Sequence, residues 1–150
     1  MQSTVQLFIT CILDTLYPQI GKSIVQVLQR TGVKVEFPAD QTCCGQPAYN
    51  AGLRQEAIPL ARHTIQVFER AQGAVVIPSG SCAAMIRHGY LELFADQPEW
   101  LERAQALAQR TFEFSEYLVD VLGISDVGAR FPARIRSEER RVGKECRSRW

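Results

Sequence analysis

The stretch AVVIP, at residues 74–78, is a short and continuous apolar run near the middle of the chain. Strands of a parallel sheet are covered by helices on both faces, so their sequences are apolar throughout rather than alternating. Two earlier segments, residues 4–10 and VKVEF at 33–37, are rich in β-branched and aromatic residues and are predicted as two further strands. The three segments together predict a parallel sheet.

Helical periodicity fills the intervals around these strands. Apolar residues recur at spacings of three and four over residues 19–30 and again over 52–71, which is the pattern of amphipathic helices. Residues 81–94, 98–110 and 113–122 are predicted as further helices. Alternating strands and helices predict an α/β fold, a layered parallel sheet with flanking helices and right-handed crossovers.

The cysteines follow the predicted strands. Cys11 comes after the first strand, the adjacent Cys43 and Cys44 lie in the loop after the second, and Cys82 follows the third. Because the carboxyl ends of parallel strands meet at one edge of a sheet, where ligands usually bind, these four thiols are expected to converge.

Composition limits the class of protein. The 150 residues are 46% hydrophobic and 22% charged, with a formal net charge of +1, as in an ordinary soluble domain. No apolar run is long enough for a membrane span, so a cytoplasmic location is expected. In that reducing compartment, cysteines more often serve as metal ligands or redox groups than as structural disulfides. No nucleotide-binding loop or hydrolase motif is present, and no nucleic-acid partner is expected.

The spacing of the cysteines is distinctive. Thirty-one residues separate Cys11 from Cys43, the doublet continues as CCG, and 34 residues separate Cys44 from Ser79, which begins SGSC. This pattern resembles the cysteine-rich CCG domain family, which includes a component of heterodisulfide reductase, the iron-sulfur component of glycolate oxidase and the lactate-utilisation protein A group. Four segments resemble the last group most: ITCILDTLYPQIGKS, VEFPADQTCCGQPAYNAG, VIPSGSCAAMIRHGY and EFSEYLVDVLG.

The resemblance implies an iron-sulfur cluster, of the 4Fe-4S type, because four cysteine thiolates are enough to hold one. The implied ligands are Cys11, Cys43, Cys44 and Cys82. Three residues are expected around them. Gly45 permits a positive φ, and the backbone N–H groups around Gly45 and Gly80 could hydrogen-bond the sulfurs. Ser79 stands where the family has a cysteine; a hydroxyl donor is its favoured role, and an oxygen ligand is the alternative.

The implied function is that of an electron-transfer subunit in a system that oxidises L-lactate to pyruvate together with two other lactate-utilisation proteins. Whether this subunit itself takes part in the substrate chemistry stays open, and no catalytic residue is assigned. Other interpretations of the four cysteines also remain. One alternative is a zinc-stabilised interaction module, and a second is a set of buried inert thiols. A third is a thiol or heterodisulfide-type oxidoreductase that uses Cys43 and Cys44.

Five other side chains are weaker candidates. His63 is expected on the polar face of its helix. His88 follows Cys82 by six residues and could lie near it, but a solvent-facing histidine on a helix is the favoured interpretation. Arg87 could offer positive charge to an anionic cluster or carboxylate. Tyr49 and Asn50, just after the CCG, could line a pocket.

The last fifteen residues, RSEERRVGKECRSRW at 136–150, differ from the rest of the chain. They can be back-translated into a string that closely resembles a sequencing adapter, so we expect them to be non-native and exclude Cys146 from the ligand set. A natural basic tail is the alternative. Family members typically carry two CCG repeats, and residues 1–135 are expected to be the first of them, cut short at the carboxyl end.

Overall fold

The computed structural model describes residues 3–130 and 132. The predicted non-native tail at 136–150, including Cys146, lies outside the described residues. Within them the chain forms four strands: β1 (Thr4–Leu7), β2 (Lys34–Glu36), β3 (Ala74–Ile77) and β4 (Thr111–Glu113). All pairings are parallel and the strand order is β2-β1-β3-β4. The predicted α/β fold with a layered parallel sheet is therefore confirmed.

Helices fill the connections between the strands and follow the last one. Their bounds are α1 (Cys11–Leu16), α2 (Pro18–Arg30), α3 (Gln46–Asn50), α4 (Arg54–Glu69), α5 (Gly80–Ala84), α6 (Tyr90–Leu93), α7 (Pro98–Gln109) and α8 (Phe114–Glu116). Two π-helical turns continue helices: Met85–Gly89 joins α5 to α6, and Tyr117–Val121 extends α8. Single π-helical turns of this kind occur frequently at functional sites.

Each face of the sheet is covered by its own hydrophobic core. Because successive strand residues point to opposite faces, Val75 and Ile77 of β3 enter one core while Val76 enters the other. The larger core adds α4 and the helices from α5 to α7, and the smaller core adds α2 and the turn at Tyr117–Val121. All three of these β3 residues are fully buried, as the AVVIP run predicted.

The structure corrects the predictions around Cys11. Strand β1 ends at Leu7 rather than at residue 10, because the Ile9 N–H binds the side chain of Gln41 at 2.8 Å instead of a neighbouring strand. The segment that begins at Cys11, for which no helix was predicted, forms α1. The Thr10 hydroxyl caps this helix by accepting from the Leu13 N–H at 3.3 Å.

Two further elements were not predicted. Strand β4 has only three residues and lies where the predicted helices over 98–110 and 113–122 meet, yet it pairs with β3 and completes the sheet. Helix α3 is a separate helix of five residues that follows the CCG. The helix predicted over 52–71 is α4, and it begins at Arg54. In the residues that the structure describes, no helix has the length and apolar character needed to cross a membrane.

Candidate functional site

The four predicted cysteines lie at the carboxyl edge of the sheet and arrive there on three connections. Cys11 is the first residue of α1, Cys43 and Cys44 precede α3, and Cys82 lies in α5. All four are free thiols. The convergence expected from strand order is therefore observed, and the distances within the group show how the thiols are arranged.

Cys11 and Cys43 form an outer pair. Their Sγ atoms are 3.7 Å apart and both side chains are half-buried. Burial, followed by the contact with Cys43, raises the pKa of the Cys11 thiol above its ordinary value. A shallow cavity of about 200 Å³ beside the pair is lined by both cysteines, with Thr15 and Phe37 among its other walls.

Cys44 and Cys82 form an inner pair that belongs to the larger hydrophobic core. Cys44 is 2% exposed and Cys82 is 8% exposed. A hydrogen bond from Cys44 lowers the pKa of Cys82 to about 7, and the hydroxyls of Ser79 and Ser81 add to this effect. The pKa of Cys44 is raised by the same contact and by burial. Cys82 is thus the thiol most ready to ionise near neutral pH.

The two pairs influence each other electrostatically. Charge on Cys82 raises the pKa of Cys11, and charge on Cys43 raises that of Cys44. Adjacent residues 43 and 44 thus serve different partners, since one contacts Cys11 and the other contacts Cys82. The vicinal doublet is the link that joins the two pairs into one group of four.

Gly45 shapes the loop that carries the doublet. It has a φ of 84°, the left-handed conformation that the sequence predicted. A Cβ at this position would lie 3.3 Å from the backbone oxygen of Ala57 and 3.3 Å from the Cβ of Leu60. Packing against α4, as well as backbone conformation, therefore requires glycine here.

Ser79 and Gly80 lie at the start of α5. Ser79 is the residue that caps this helix, and its hydroxyl accepts from the Cys82 N–H at 3.5 Å. Gly80 is the first residue of the helix, and a Cβ there would meet no other atom within 4 Å. A larger residue would therefore fit at position 80. Ser79, in contrast, contacts Cys82 through its hydroxyl and lowers the pKa of that thiol.

Two residues that the sequence analysis missed hold the cysteine loops in place. The Gln41 amide accepts from the Ile9 N–H at 2.8 Å and donates to the Leu7 and Pro38 carbonyls at 3.0 Å each. The buried Tyr90 hydroxyl donates to the Cys44 carbonyl at 2.9 Å. Burial raises the pKa of Tyr90 well above its ordinary value, so the phenol keeps the proton that it donates. Neither residue has a sequence signal, because each acts across more than 30 residues.

The weaker candidates separate into two groups. Arg87 Nη1 donates to both carboxylate oxygens of Glu116, at 2.8 and 2.9 Å. This ion pair already neutralises the charge of Arg87. His63 contacts the Asp40 carbonyl at 2.7 Å and ties α4 to the loop before the CCG.

The remaining candidates line a groove next to the inner pair. His88, Tyr49 and Asn50 border a groove of about 320 Å³. Gln46 lies in the same wall, and its side-chain oxygen is 3.9 Å from the Cys82 sulfur. His88, Tyr49 and Asn50 line this groove, and Gln46 is the residue of its wall that reaches a sulfur.

Among residues 3–130 and 132, no three His, Cys, Asp or Glu side chains are grouped closely enough to hold a single metal ion. The cysteines are arranged as two neighbouring pairs instead. This arrangement differs from the tetrahedral set of four ligands that a structural zinc ion requires.

Comparison with known proteins gives a consistent family. Residues 5–87 match the CCG family of cysteine-rich domains. The chain is 50% identical over 131 residues to lactate utilization protein A of an Exiguobacterium species, covering 87% of this chain and 53% of that protein. It is 52% identical over 125 residues to lactate utilization protein A of Shouchella clausii, covering 83% of this chain and 52% of that protein.

Another relative, from Bacillus pumilus, carries the same name and is 50% identical over 125 residues. That match covers 83% of this chain and 52% of the relative. The chain thus spans about half the length of the curated relatives it matches. No solved structure matches it. The family match includes Cys11, Cys43, Cys44 and Cys82, and the chain belongs to the CCG family of cysteine-rich domains.

Proposed function

We propose that this chain is the cluster-binding part of an iron-sulfur electron-transfer subunit in a system that oxidises L-lactate to pyruvate. The observation that carries the proposal is the convergence of four free cysteines, from three connections, at the carboxyl edge of the sheet. The name of the relatives, lactate utilization protein A, supports the choice of lactate as the substrate of the system. In this proposal residues 1–135 form one cysteine-rich repeat.

The residues present fit an iron-sulfur cluster by donor chemistry. Thiolates are the soft ligands that hold such clusters, and a cluster of several irons can be held by sulfurs that are too spread out for one ion. The two pairs, Cys11 with Cys43 and Cys44 with Cys82, would together supply four thiolates. The cluster type proposed is 4Fe-4S, and when bound it would accept and pass on single electrons.

The chain's own groups prepare these ligands. The contact with Cys44 lowers the pKa of Cys82 to about 7, and the hydroxyls of Ser79 and Ser81 also favour its ionised form. Cys44 and Cys11 have raised pKa values, so binding must displace their protons. Tyr90 and Gln41 fix the backbone on both sides of the doublet, which limits how far the sulfurs must move.

The partners in this proposal are two other lactate-utilisation proteins, and the location is the cytoplasm. Electron transfer is assigned to this subunit, and no side chain is assigned a catalytic step on lactate. The groove lined by His88, Tyr49 and Asn50 is open and borders Gln46 next to Cys82.

The test is anaerobic reconstitution of the 150-residue chain with ferrous iron and sulfide, followed by iron and sulfide counting, visible absorption and electron paramagnetic resonance. We expect a brown protein whose absorption bleaches on reduction, and a loss of most bound iron in Cys44→Ser and Cys82→Ser. Cys146→Ser is the matched control, because Cys146 is outside the proposed ligand set, and it should keep the iron. A colourless chain without bound iron, or equal loss in the control, would contradict the proposal.

A thiol-disulfide oxidoreductase is the second candidate, and the 3.7 Å contact between the Cys11 and Cys43 sulfurs favours it. Such an enzyme would reduce a disulfide substrate without iron and would lose activity in Cys11→Ser or Cys43→Ser. The iron-free chain can be assayed with a thiol reductant and a mixed disulfide. Turnover by this chain at a rate above that of the free reductant would favour the second candidate over the first.

A further inference from the structure

Helix α1 carries an apolar surface that the described residues leave uncovered. Ile12 is 60% exposed and Leu16 is 64% exposed, and Tyr17 and Ile20 next to them are also exposed. Helix α1 has no buried residue at all. We call these four residues, Ile12, Leu16, Tyr17 and Ile20, the α1 surface.

The local sequence shows why this exposure is unusual. Ile12 and Leu16 are four residues apart, so their side chains lie on one face of the helix, one turn from each other. A helix of six residues is not stable by itself in water, and most of its stability must come from packing. Within α1, the partly buried Leu13 packs against the smaller core. Grouped exposed apolar side chains mark surfaces that contact a protein, a membrane or a ligand.

The α1 surface borders the outer cysteine pair. Cys11 is the first residue of α1, and the cavity beside Cys11 and Cys43 is also lined by Thr15 of α1 and by the exposed Phe37. A polypeptide packed on this surface would therefore also cover the half-buried sulfurs.

The relatives contain a further half that this chain does not match. The matches to the Exiguobacterium and Shouchella clausii relatives cover 87% and 83% of this chain, but only 53% and 52% of the length of those relatives. We propose that, in the full-length family members, the α1 surface packs against the half of the protein that this chain does not match. Cys11 and Cys43 then lie at the interface between two halves of one protein.

Such an interface would change the environment of the outer pair. Covering the surface removes water from Cys11 and Cys43, and access of water and the polarity around a metal site both influence its redox properties. The inner pair, which is already buried in the larger core, would be affected little. This inference concerns packing and does not depend on whether the cysteines bind iron.

The test compares hydroxyl-radical footprinting of this chain with that of the full-length Shouchella clausii relative. We expect the residues of the α1 surface to be oxidised about fivefold more slowly in the full-length protein, since interface cores exclude water. The matched controls are the exposed Leu53 and Val119, whose aligned residues should react at similar rates in both proteins. Equal rates at the α1 surface in the two proteins would overturn the proposal.

A substitution provides a second readout. Leu16→Asp should change the Tm of this chain by less than about 2 °C, because the side chain is exposed. The same change at the aligned position of the full-length relative should lower its Tm by about 5 °C or more, or prevent folding, because a charge would be buried. Val119→Asp is the control and should be tolerated in both proteins.

Association between copies of this chain is the competing outcome. If the α1 surface is already protected in this chain at high concentration, and sedimentation shows a dimer that Leu16→Asp dissociates, the occupant is a second copy and the proposal is wrong. The footprinting result is separate from the iron reconstitution, so a failure of either proposal can be told apart from a failure of the other.

Discussion

The inner and outer cysteine pairs each contain one residue of the adjacent Cys43 and Cys44, but the pairs differ in burial, in thiol pKa and in the elements that surround them. Cys44 and Cys82 belong to the larger hydrophobic core, next to the helix cap formed by Ser79. Cys11 and Cys43 lie between an exposed helix and an irregular loop, with a cavity beside them. The inner thiols have strongly divergent pKa values, whereas the outer pair shows a raised pKa at Cys11.

This contrast explains why two cysteines stand next to each other in the sequence. Cys44 is packed in the larger core, whereas Cys43 contacts Cys11 at the start of α1. A site made of one fixed pair and one more open pair can admit a ligand from the exposed side while its inner half stays in place. If the inner pair is the more rigid of the two, substitutions around it should cost more than substitutions around the outer pair.

The largest effect is expected for Gly45→Ala. The added methyl group would meet α4 at 3.3 Å in a left-handed conformation, and we expect a loss of about 2–4 kcal/mol in the free energy of unfolding. Gly52→Ala is the control, because Gly52 has a φ of 78° but no atom within 4 Å of an added Cβ. It should cost only about 1–2 kcal/mol. Denaturant unfolding measures both, and equal losses would show that packing at Gly45 is unimportant.

Tyr90→Phe removes the hydrogen bond that fixes the Cys44 carbonyl in the core. Leaving this carbonyl buried without its partner should cost about 1–3 kcal/mol. The control is Tyr49→Phe, which removes an exposed hydrogen bond to Glu92 and should change stability by less than about 0.5 kcal/mol. Thermal or denaturant unfolding gives the comparison. A neutral Tyr90→Phe would mean that the inner pair is held by packing alone.

The stability of the iron-free, reduced chain should depend on pH through Cys82. Its pKa of about 7 is below the ordinary value for a thiol, so between that value and about pH 8.5 the unfolded state binds more protons than the folded state. Stability is therefore expected to rise by about 1–2 kcal/mol across this window and to be lost as the pH falls through about 7.

The pH series has a simple control. Cys82→Ser should abolish the rise, because the ionising thiol is gone. Cys44 has a raised pKa, so it contributes in the opposite sense and only above the ordinary thiol pKa, where stability should fall again. Unfolding curves collected from about pH 6 to about pH 10 under reducing conditions test both directions. A flat profile for the unmodified chain would contradict the assignment of Cys82 as the readily ionised thiol.

The smallest effect is expected for Gln41→Ala, which loosens the outer pair. The side chain makes three hydrogen bonds to backbone groups, but it is only half-buried, so water can replace part of them. We expect a cost of about 1 kcal/mol and faster thiol labelling of Cys11 and Cys43 than of Cys44 and Cys82. The exposed neighbour Thr42, changed to Ala, should do neither. Faster labelling of all four thiols would show that the two pairs are not independent.

Much of the fold followed from local pattern. The apolar run at 74–78 and the segments at 4–10 and 33–37 each contain a strand of the sheet, and amphipathic periodicity located α2 and α4. These predictions succeeded because burial on one or both faces imposes a periodicity on the sequence. Helix α1 was missed because its six residues are too short to carry a helical period, and β4 was missed because it lies where the predicted helices over 98–110 and 113–122 meet.

The candidate site was predicted in part. The position of each cysteine after a parallel strand was enough to place Cys11, Cys43, Cys44 and Cys82 at one edge, and the positive φ of Gly45 was predicted from the freedom of glycine after the doublet. Arg87 was considered as a free positive charge for an anionic cluster, but it is paired with Glu116. The sequence does not reveal this partner, because Glu116 is 29 residues away and meets Arg87 only in the folded chain. The assignment of the four cysteines as cluster ligands stays a prediction for the reconstitution experiment.

The sequence alone determined the fold class and the edge at which the thiols meet, because hydrophobic periodicity is a local property of the chain and parallel strands end at one common edge whatever their order in the sheet. Only the tertiary structure decided which thiol contacts which, with Cys11 next to Cys43 and Cys82 hydrogen-bonded to Cys44. It also decided that Tyr90 and Gln41 hold the doublet and that the α1 surface is left uncovered by the described residues. Contacts of this kind depend on distances between residues far apart in sequence, and hydrogen bonds and thiol pKa values change over fractions of an ångström.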